Sequence, residues 1–339
     1  MGLGHYYSAL ASKIVDLEVW GWKRGPVWPH HSAAIALGRG LRMLLSQMGD
    51  PLCQRLVRDD RMSLPVSDQL PIDSVRYRYH RTLLPRLCRY IRKKERPAHM
   101  IVIGAGIGDA ILAASPMDGE RVLAVEPGHR SCDILSSNLA IIPKVKVKAN
   151  VLGPDTLGIP FKIREHWGKV EVERDSVGVI REMQTLDHVL SNDQNLASVK
   201  YGVLAIQSGK RSLEILRGAR STVSDAKPAI LLQIEPHDKG GYTDDIIEAL
   251  GHLKQRGYTG MVIYDCHGVL IGSCLLSRQE TLGQLLINQL AGQKAPLELA
   301  ILEGADFDAF YRDEVALFCQ EIVSDAHRRA ALCAARMLG

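Results

Sequence analysis

The sequence predicts an α/β fold built on an open, mostly parallel sheet, and three observations carry that reading. First, Ile101-Val102-Ile103-Gly104-Ala105-Gly106-Ile107-Gly108-Asp109-Ala110 is a short apolar run, then closely spaced glycines, then small and apolar residues at helical spacing. A buried parallel strand reads this way when it turns tightly into a helix. Second, Arg121-Val122-Leu123-Ala124-Val125-Glu126-Pro127 reads as the next strand and ends in an acid about twenty residues after the glycines. Third, strand-like and helix-like stretches alternate from residue 98 onward, the pattern of a sheet with helices on both faces.

Residues 1–97 read as a mostly helical N-terminal extension, broken into pieces by Pro26, Pro29, Pro51, Pro65 and Pro71. Leu83, Leu84, Leu87, Cys88 and Ile91 form one apolar helical stripe. Around it runs a basic series: Arg76, Arg78, Arg81, Arg86, Arg89, Arg92, Lys93, Lys94 and Arg96. Two readings of the basic helix 76–96 stay open, a solvated face or a patch for an anionic partner such as a glycan or a membrane surface. Pro97 ends it.

The core domain spans residues 98–275. Strand one lies near 100–104, a helix at 107–115, strand two at 121–126, a helix at 129–140 and strand three at 145–152. Phe161-Lys162-Ile163-Arg164 and Lys169-Val170-Glu171-Val172-Glu173 alternate apolar and polar residues, as in a hairpin inserted after strand three. Thr185-Leu186-Asp187 opens a short helix. Strand four is 203–206, followed by a helix over 212–220, and strand five is 228–235. A helix over 244–256 stops at Gly257, as a glycine just past a helix end should. Strands at 260–265 and 269–274 turn at His267-Gly268. The remaining segment, 276–339, reads as C-terminal helices over 278–290 and 313–337.

A net charge of +4 does not demand nucleic acid as a partner. No apolar run approaches a membrane span, and the first residues lack the basic and apolar regions of a signal peptide. Cys53, Cys88, Cys132, Cys266, Cys274, Cys319 and Cys333 show no paired spacing, which points to reduced thiols and a cytoplasmic setting. No metal site is expected: C-x-x-C is absent, and His30 and His31 are adjacent, so on a helix they face different ways.

The ligand class follows from the glycines. Gly104 and Gly106 allow a ligand close to the backbone, and the following helix offers unpaired N–H groups. A dinucleotide fingerprint needs Gly or Ala at the sixth position, where Asp109 stands. The looser G-x-G-x-G pattern and the Glu126-Pro127 ending favour S-adenosyl-L-methionine over NAD or FAD. Glu126 can accept both ribose hydroxyls.

The order of these pieces resembles the FkbM family of S-adenosylmethionine-dependent O-methyltransferases over about residues 99–267. Its landmarks are Ile103 to Asp109, Ala124 to Pro127, Ser137-Asn138, Thr185-Leu186-Asp187, Leu213 to Ala219, Lys227 to Glu235 and Gly257-Tyr258. The resemblance implies the class I methyltransferase fold, a Rossmann-like seven-stranded sheet whose last strand is antiparallel. It implies a cofactor site of Gly104, Ala105, Gly106, Gly108, Glu126, Pro127, Asn150 and Gln207, with Gly104 and Gly106 under the cofactor's amino-acid moiety and Glu126 on its ribose. Asn138, Asn150 and Leu152 would lie near the adenine. The chain departs from the family at Val102, where an acid is usual, and at Gly106, where Asn is usual. It departs most at strand four, where Ala205-Ile206-Gln207-Ser208-Gly209-Lys210-Arg211-Ser212 lacks three acids the family carries and has gained two basic residues.

Methyl transfer to a hydroxyl needs positioning and a proton acceptor. Gln207 can accept a hydrogen bond but carries no charge. The candidates for base are Glu235, His237 and Asp238, at the carboxyl end of strand five. Lys210 and Arg211 could bind an anionic group of the substrate. The implied activity is O-methylation of a sugar, glycan or other natural product. A catalytically degenerate, methyltransferase-like binding or scaffold protein is the alternative, and a flavin or NAD enzyme is the third. A small molecule or glycan is the expected partner, and an oligomer is compatible with the sequence.

Overall fold

A computed structural model describes residues 3–25, 30–57, 60–166, 169–174, 179–235, 242–278, 281, 283–284 and 295–337. The chain divides into two compact units, Met1–Gln233 and Ile234–Gly339. The N-terminal extension therefore packs into the same unit as the glycine-rich loop.

That extension is not purely helical. Helices α1 (Leu3–Arg24) and α2 (His31–Gln47) are followed by strands β1 (Leu52–Val57) and β2 (Asp60–Pro65), then by α3 (Leu70–Arg76) and α4 (Leu83–Lys93). The antiparallel β1–β2 pair corrects the helical expectation for this stretch. Its cause lies in alternation: Met62 and Leu64 are buried while Arg61 faces out. Helices α1 and α2 approach closely at Gly38, where a Cβ would lie 2.8 Å from the Glu18 backbone nitrogen. Buried Arg42 donates to Glu18 at 2.8 Å and to the carbonyls of Val66 (2.8 Å), Ser67 (3.1 Å) and Asp68 (2.7 Å).

In α4 the apolar stripe Leu83, Leu84, Leu87, Cys88 and Ile91 is buried, as its spacing predicts. The basic series does not form one outward patch. Arg92 makes a two-pronged bond to Glu120 (2.9 and 2.6 Å), Arg86 is buried under the Tyr79 ring, and Arg76 stacks on Trp22. Glu120 also accepts from the Ala98 and Met117 amides, so it organises the entry to the sheet.

The first unit carries β3 (Met100–Ile103), α5 (Asp109–Ala114), β4 (Val122–Val125), α6 (His129–Leu139) and β5 (Val145–Lys148). Then come β6 (Val151–Leu152), β7 (Leu157–His166), β8 (Lys169–Arg174), β9 (Val179–Gln184), α7 (Leu186–Ser191) and α8 (Gln194–Ala197). The unit closes with β10 (Val203–Ile206), a single 3₁₀ turn (Gly209–Arg211), α9 (Ser212–Arg217), α10 (Arg220–Ala226) and β11 (Ala229–Ile234), whose last residue opens the second unit. Strands β11-β10-β3-β4-β5 lie side by side in that order, all parallel. Every residue of β3, β4 and β10 is buried, which is why they read as unbroken apolar runs rather than alternating ones. Strand three bends after β5, and β6 joins a separate sheet of order β6-β9-β7-β8, the hairpin insertion enlarged by one strand. Thr185 caps α7 by accepting from the His188 amide, and Asp187 accepts from the Ser221 and Thr222 amides and the Thr222 hydroxyl. The Thr-Leu-Asp landmark is thus a pair of helix caps.

The second unit contains α11 (Tyr242–Gln255), β12 (Tyr258–Asp265), β13 (Leu270–Leu275), β14 (Leu297–Glu303) and α12 (Gly304–Met337). Both β13 and β14 pair antiparallel with β12. The sequence supplies two strands here, and β14 is a correction: residues 297–303, assigned to the C-terminal helices, form a strand buried from Leu297 to Leu302. Continuous burial removes the alternation that distinguishes strand from helix. The seven-strand expectation undercounts for that reason. Most of the helix expected at 278–290 lies outside the described residues. Among the described residues no helix is long and apolar enough to cross a membrane, and Cys53, Cys88, Cys132, Cys266, Cys274 and Cys319 carry free thiols.

Candidate functional site

The strand order of the first unit contains one reversal. From β3 the chain steps outward to β4 and β5, and from β10 it steps the other way to β11. Ligands of open α/β sheets bind at the carboxyl ends of the strands flanking such a switch point. Here those ends are the Gly104–Gly108 loop and the Gln207–Ser208 turn.

The three glycines do three different things, all at positive φ (72°, 56° and 90° for Gly104, Gly106 and Gly108). A Cβ on Gly104 would lie 2.3 Å from the Gln207 carbonyl oxygen, so this glycine lets β3 and β10 close on each other. A Cβ on Gly108 would meet Leu135 and Leu139 of α6, so this one serves helix packing. Of the three, only the Cβ direction of Gly106 is open, with no atom of the described residues within 4 Å. Of the residues expected under a ligand, Gly104 and Gly108 are therefore absorbed by packing, and Gly106 is the one with space above it. Ala105 is buried between them.

Glu126 follows β4 and is 3% exposed. Its carboxylate accepts from the Gly106 amide at 2.8 Å and the Gly128 amide at 3.3 Å. Burial pushes its pKa up to about 7, against the pull of those two amides. Half-buried Pro127 shapes the turn. Gln207 follows β10, and its side-chain oxygen is buried without a hydrogen-bond partner among the described residues. Such an atom costs stability unless a ligand or water satisfies it. An open backbone face at Gly106, a buried acid beside it and an orphaned amide oxygen on the residue after β10 fit a ligand with hydroxyl or amine donors.

Other expected residues have different jobs. Asn138 is consumed by structure: its amide accepts from the Ser63 amide (2.8 Å) and donates to the carbonyls of Ser63 and Ile107 (2.9 Å each). It pins β2 to the glycine loop, which corrects the adenine-side expectation. Asn150 donates to Gln184 at 2.8 Å at the bend between β5 and β6. Leu152 is buried, and its carbonyl accepts from Arg211 at 2.7 Å. Arg211 also lies over the Phe161 ring and beside Met183, in the core of the inserted sheet. The basic change after strand four thus latches the β10 turn to the insertion, and Arg211 is not held out for a substrate anion; Lys210 is exposed. Glu235 follows β11 and is half-buried, in the second unit. His237 and Asp238 lie outside the described residues.

Two contributors escaped the sequence reading. Glu165 of β7 accepts from the Ser131 amide at 3.0 Å and the Ser131 hydroxyl at 3.1 Å, at the start of α6. A Cβ on Gly128 would strike Glu165 and Val170 at 2.8 Å, so the insertion lies against the Glu126 turn. Arg81, at φ 54°, pairs with buried Asp109 at 3.3 Å. Neither carried a signal, since a lone acid in an alternating hairpin and one arginine among many look like solvated residues.

The raised acids set a pH dependence. Glu126 and Asp68 are both pushed up by burial, to about 7 and about 6. A raised carboxyl pKa favours folding most at low pH, where both states are protonated. That favour is lost as pH rises from the ordinary carboxylate range through the folded value. For Glu126 the change is on the order of 3 kcal/mol, at about 1.4 kcal/mol per unit. Glu126→Gln is therefore expected to gain stability relative to the parent between pH 5 and pH 8 in urea unfolding of the ligand-free protein. A difference between the two proteins that does not vary with pH would refute it.

The fold defines a Rossmann-like α/β protein with a candidate ligand site at the switch point of its first unit. No protein-family model and no curated protein matches the chain. Among solved structures it is similar to the methyltransferase FkbM from Methylobacillus flagellatus KT, at 16% identity and TM-score 0.36, covering 62% of this chain and 52% of that one. It is similar to a putative transferase from Pyrococcus horikoshii, at 13% identity and TM-score 0.40, covering 75% and 73%. It is similar to a SAM-dependent methyltransferase from Agrobacterium tumefaciens, at 10% identity and TM-score 0.35, covering 69% and 62%. The chain spans about half the length of the first of these and under two thirds of the third.

Proposed function

We propose that this chain is an S-adenosyl-L-methionine-dependent methyltransferase that acts on a hydroxyl of a sugar, glycan or other natural product, as the resemblance to the FkbM family implies. The observation that carries the reading is the open face of Gly106 beside the buried Glu126 carboxylate. Gly106 would let the cofactor approach the backbone, Glu126 would accept from its ribose hydroxyls, and Gln207 would accept from a donor at the other wall. When bound, the cofactor supplies an electrophilic methyl on a sulfonium. Glu235, His237 and Asp238 are the residues we assign to take the acceptor's hydroxyl proton as the C–O bond forms and the C–S bond breaks. His237 suits that task near neutral pH. On this reading the chain would work in the cytoplasm on a small-molecule or glycan acceptor.

A second reading, a non-catalytic domain of this fold, draws on one observation. The altered strand-four turn is committed through Arg211 to the inserted sheet and presents a neutral amide in place of acids.

Calorimetric titration of S-adenosylmethionine into the purified chain separates the two. Micromolar binding is expected, and Glu126→Ala is expected to weaken it at least a hundredfold, because buried hydroxyls would lose a charged acceptor. Absence of binding at millimolar ligand would leave the second reading standing.

A further inference from the structure

We propose that the outward face of α2 is a self-association surface, on which a second copy of this chain packs its own α2 antiparallel across a two-fold axis. The inference is independent of the methyltransferase reading.

The helix is apolar on two sides. Its inner stripe, Ala34, Gly38, Arg42 and Leu45, is buried, and Gly38 there lies against Glu18 of α1. The opposite side, Ala33, Ala36, Leu37, Gly40, Met43 and Leu44, is exposed, and Met48 continues it past the helix end. Leu37, Met43, Leu44 and Met48 are 57%, 50%, 53% and 67% exposed. A surface helix ordinarily turns polar residues outward, and a helix apolar all round belongs inside a core. A contiguous exposed apolar face marks an interaction site.

The chemistry of the face selects the occupant. Arg39 is the one charged residue among the exposed positions of α2, and it pairs with Glu18 of the same chain at 3.7 Å. A charged partner therefore finds little to complement. A helix that lies on a membrane sets Trp, Phe or Leu into the lipid and carries a polar side rich in Lys and Arg. Helix α2 has no Trp, Phe or Lys, and its second arginine, Arg42, is buried. A second copy fits better, because a two-fold axis brings one patch onto itself. With the axis at Gly40, antiparallel packing sets Ala36 of each copy opposite Leu44 of the other, and Leu37 opposite Met43. Small residues dominate the first half of the face and large ones the second, so each large half meets a small half. Gly40 has no atom within 4 Å of its Cβ direction, which lets the two backbones approach at the crossing. Half the surface of this 17-residue helix, about 25 Å long and about 10 Å across, is on the order of 400 Å² per copy. A total of about 800 Å² lies at the low end for specific interfaces, so a reversible dimer with a Kd of roughly tens of micromolar is expected.

The test is sedimentation equilibrium of the full chain, from about 1 to about 300 µM so as to bracket that constant. Leu44→Glu puts a carboxylate on the face and should weaken association at least about tenfold, as should Ala36→Lys. The two positions lie about 12 Å apart along one helix, too far to pair within a chain. Combining Ala36→Lys with Leu44→Glu sets opposite charges across the antiparallel pair, twice by symmetry. The combination should recover association to within about fivefold of the parent. Both sites are exposed, so each variant should unfold in urea at the parent's midpoint when dilute. Should one single variant fail to fold, the other decides. A parent still monomeric at the highest concentration overturns the proposal, as does a dimer that both single substitutions leave intact. A combination that associates no better than the single variants overturns the antiparallel arrangement, and the proposal with it. A monomeric parent that sediments with phosphatidylglycerol vesicles, where Leu44→Glu does not, overturns it in favour of a membrane surface.

Discussion

Replacing Arg42 with alanine is expected to destabilise the chain by about 3–5 kcal/mol. Arg42 is 3% exposed and its partner Glu18 is 1% exposed. The substitution leaves Glu18 as a buried charge whose remaining cation, Arg39, lies at 3.7 Å and is largely in solvent. It also strips the carbonyls of Val66, Ser67 and Asp68 of their donor. Removing one partner of a buried pair costs far more than the pair contributes, because the desolvated survivor has nothing to balance it. Urea unfolding measures the effect, and a loss under about 1 kcal/mol would refute the assignment. The consequence reaches the site, because the same unit holds β2 against the glycine loop through Asn138. Arg42→Ala should therefore lower ligand affinity as well as stability.

The second large effect separates two glycines that the sequence presents as equivalent. Gly104→Ala would place a methyl 2.3 Å from a backbone oxygen at φ 72°, so β3 and β10 must part. A loss of about 3 kcal/mol or more is expected, since neither backbone can yield cheaply. Gly106→Ala, at φ 56° with open space above it, should cost only about 1–2 kcal/mol of backbone strain. Yet it should weaken S-adenosylmethionine binding a hundredfold, because its methyl enters the space we assign to the ligand. Unfolding and calorimetry on both variants check the contrast. Parent-like affinity in Gly106→Ala would mean that the ligand lies elsewhere.

Much of the parallel sheet was legible because its strands are short, apolar and punctuated by glycine and proline. Met100–Ile103, Val122–Val125, Val203–Ile206 and Ala229–Ile234 fall where local pattern places them. The β14 strand was not legible, since six consecutively buried positions look alike in a strand and a helix. The β1–β2 hairpin was hidden among prolines that also break helices. At the candidate site, the glycine loop and Glu126 could be read because the proposed ligand would need those residue types at that spacing. Asn138, Asp187 and Arg211 looked like ligand or landmark residues and are caps and latches, a distinction that depends on what lies across the fold from them.

By itself the sequence determined the α/β class, the order of the core strands along the chain and the position of one glycine-rich turn. Each of these is written in local periodicity and in the backbone freedom of glycine. Only the tertiary structure decided which glycine faces open space, that Arg211 is spent on the inserted sheet, and that Gln207 carries a buried acceptor without a partner among the described residues. Those facts arise from contacts between residues tens of positions apart, and no local pattern encodes which polar atoms will find partners once the chain has closed on itself.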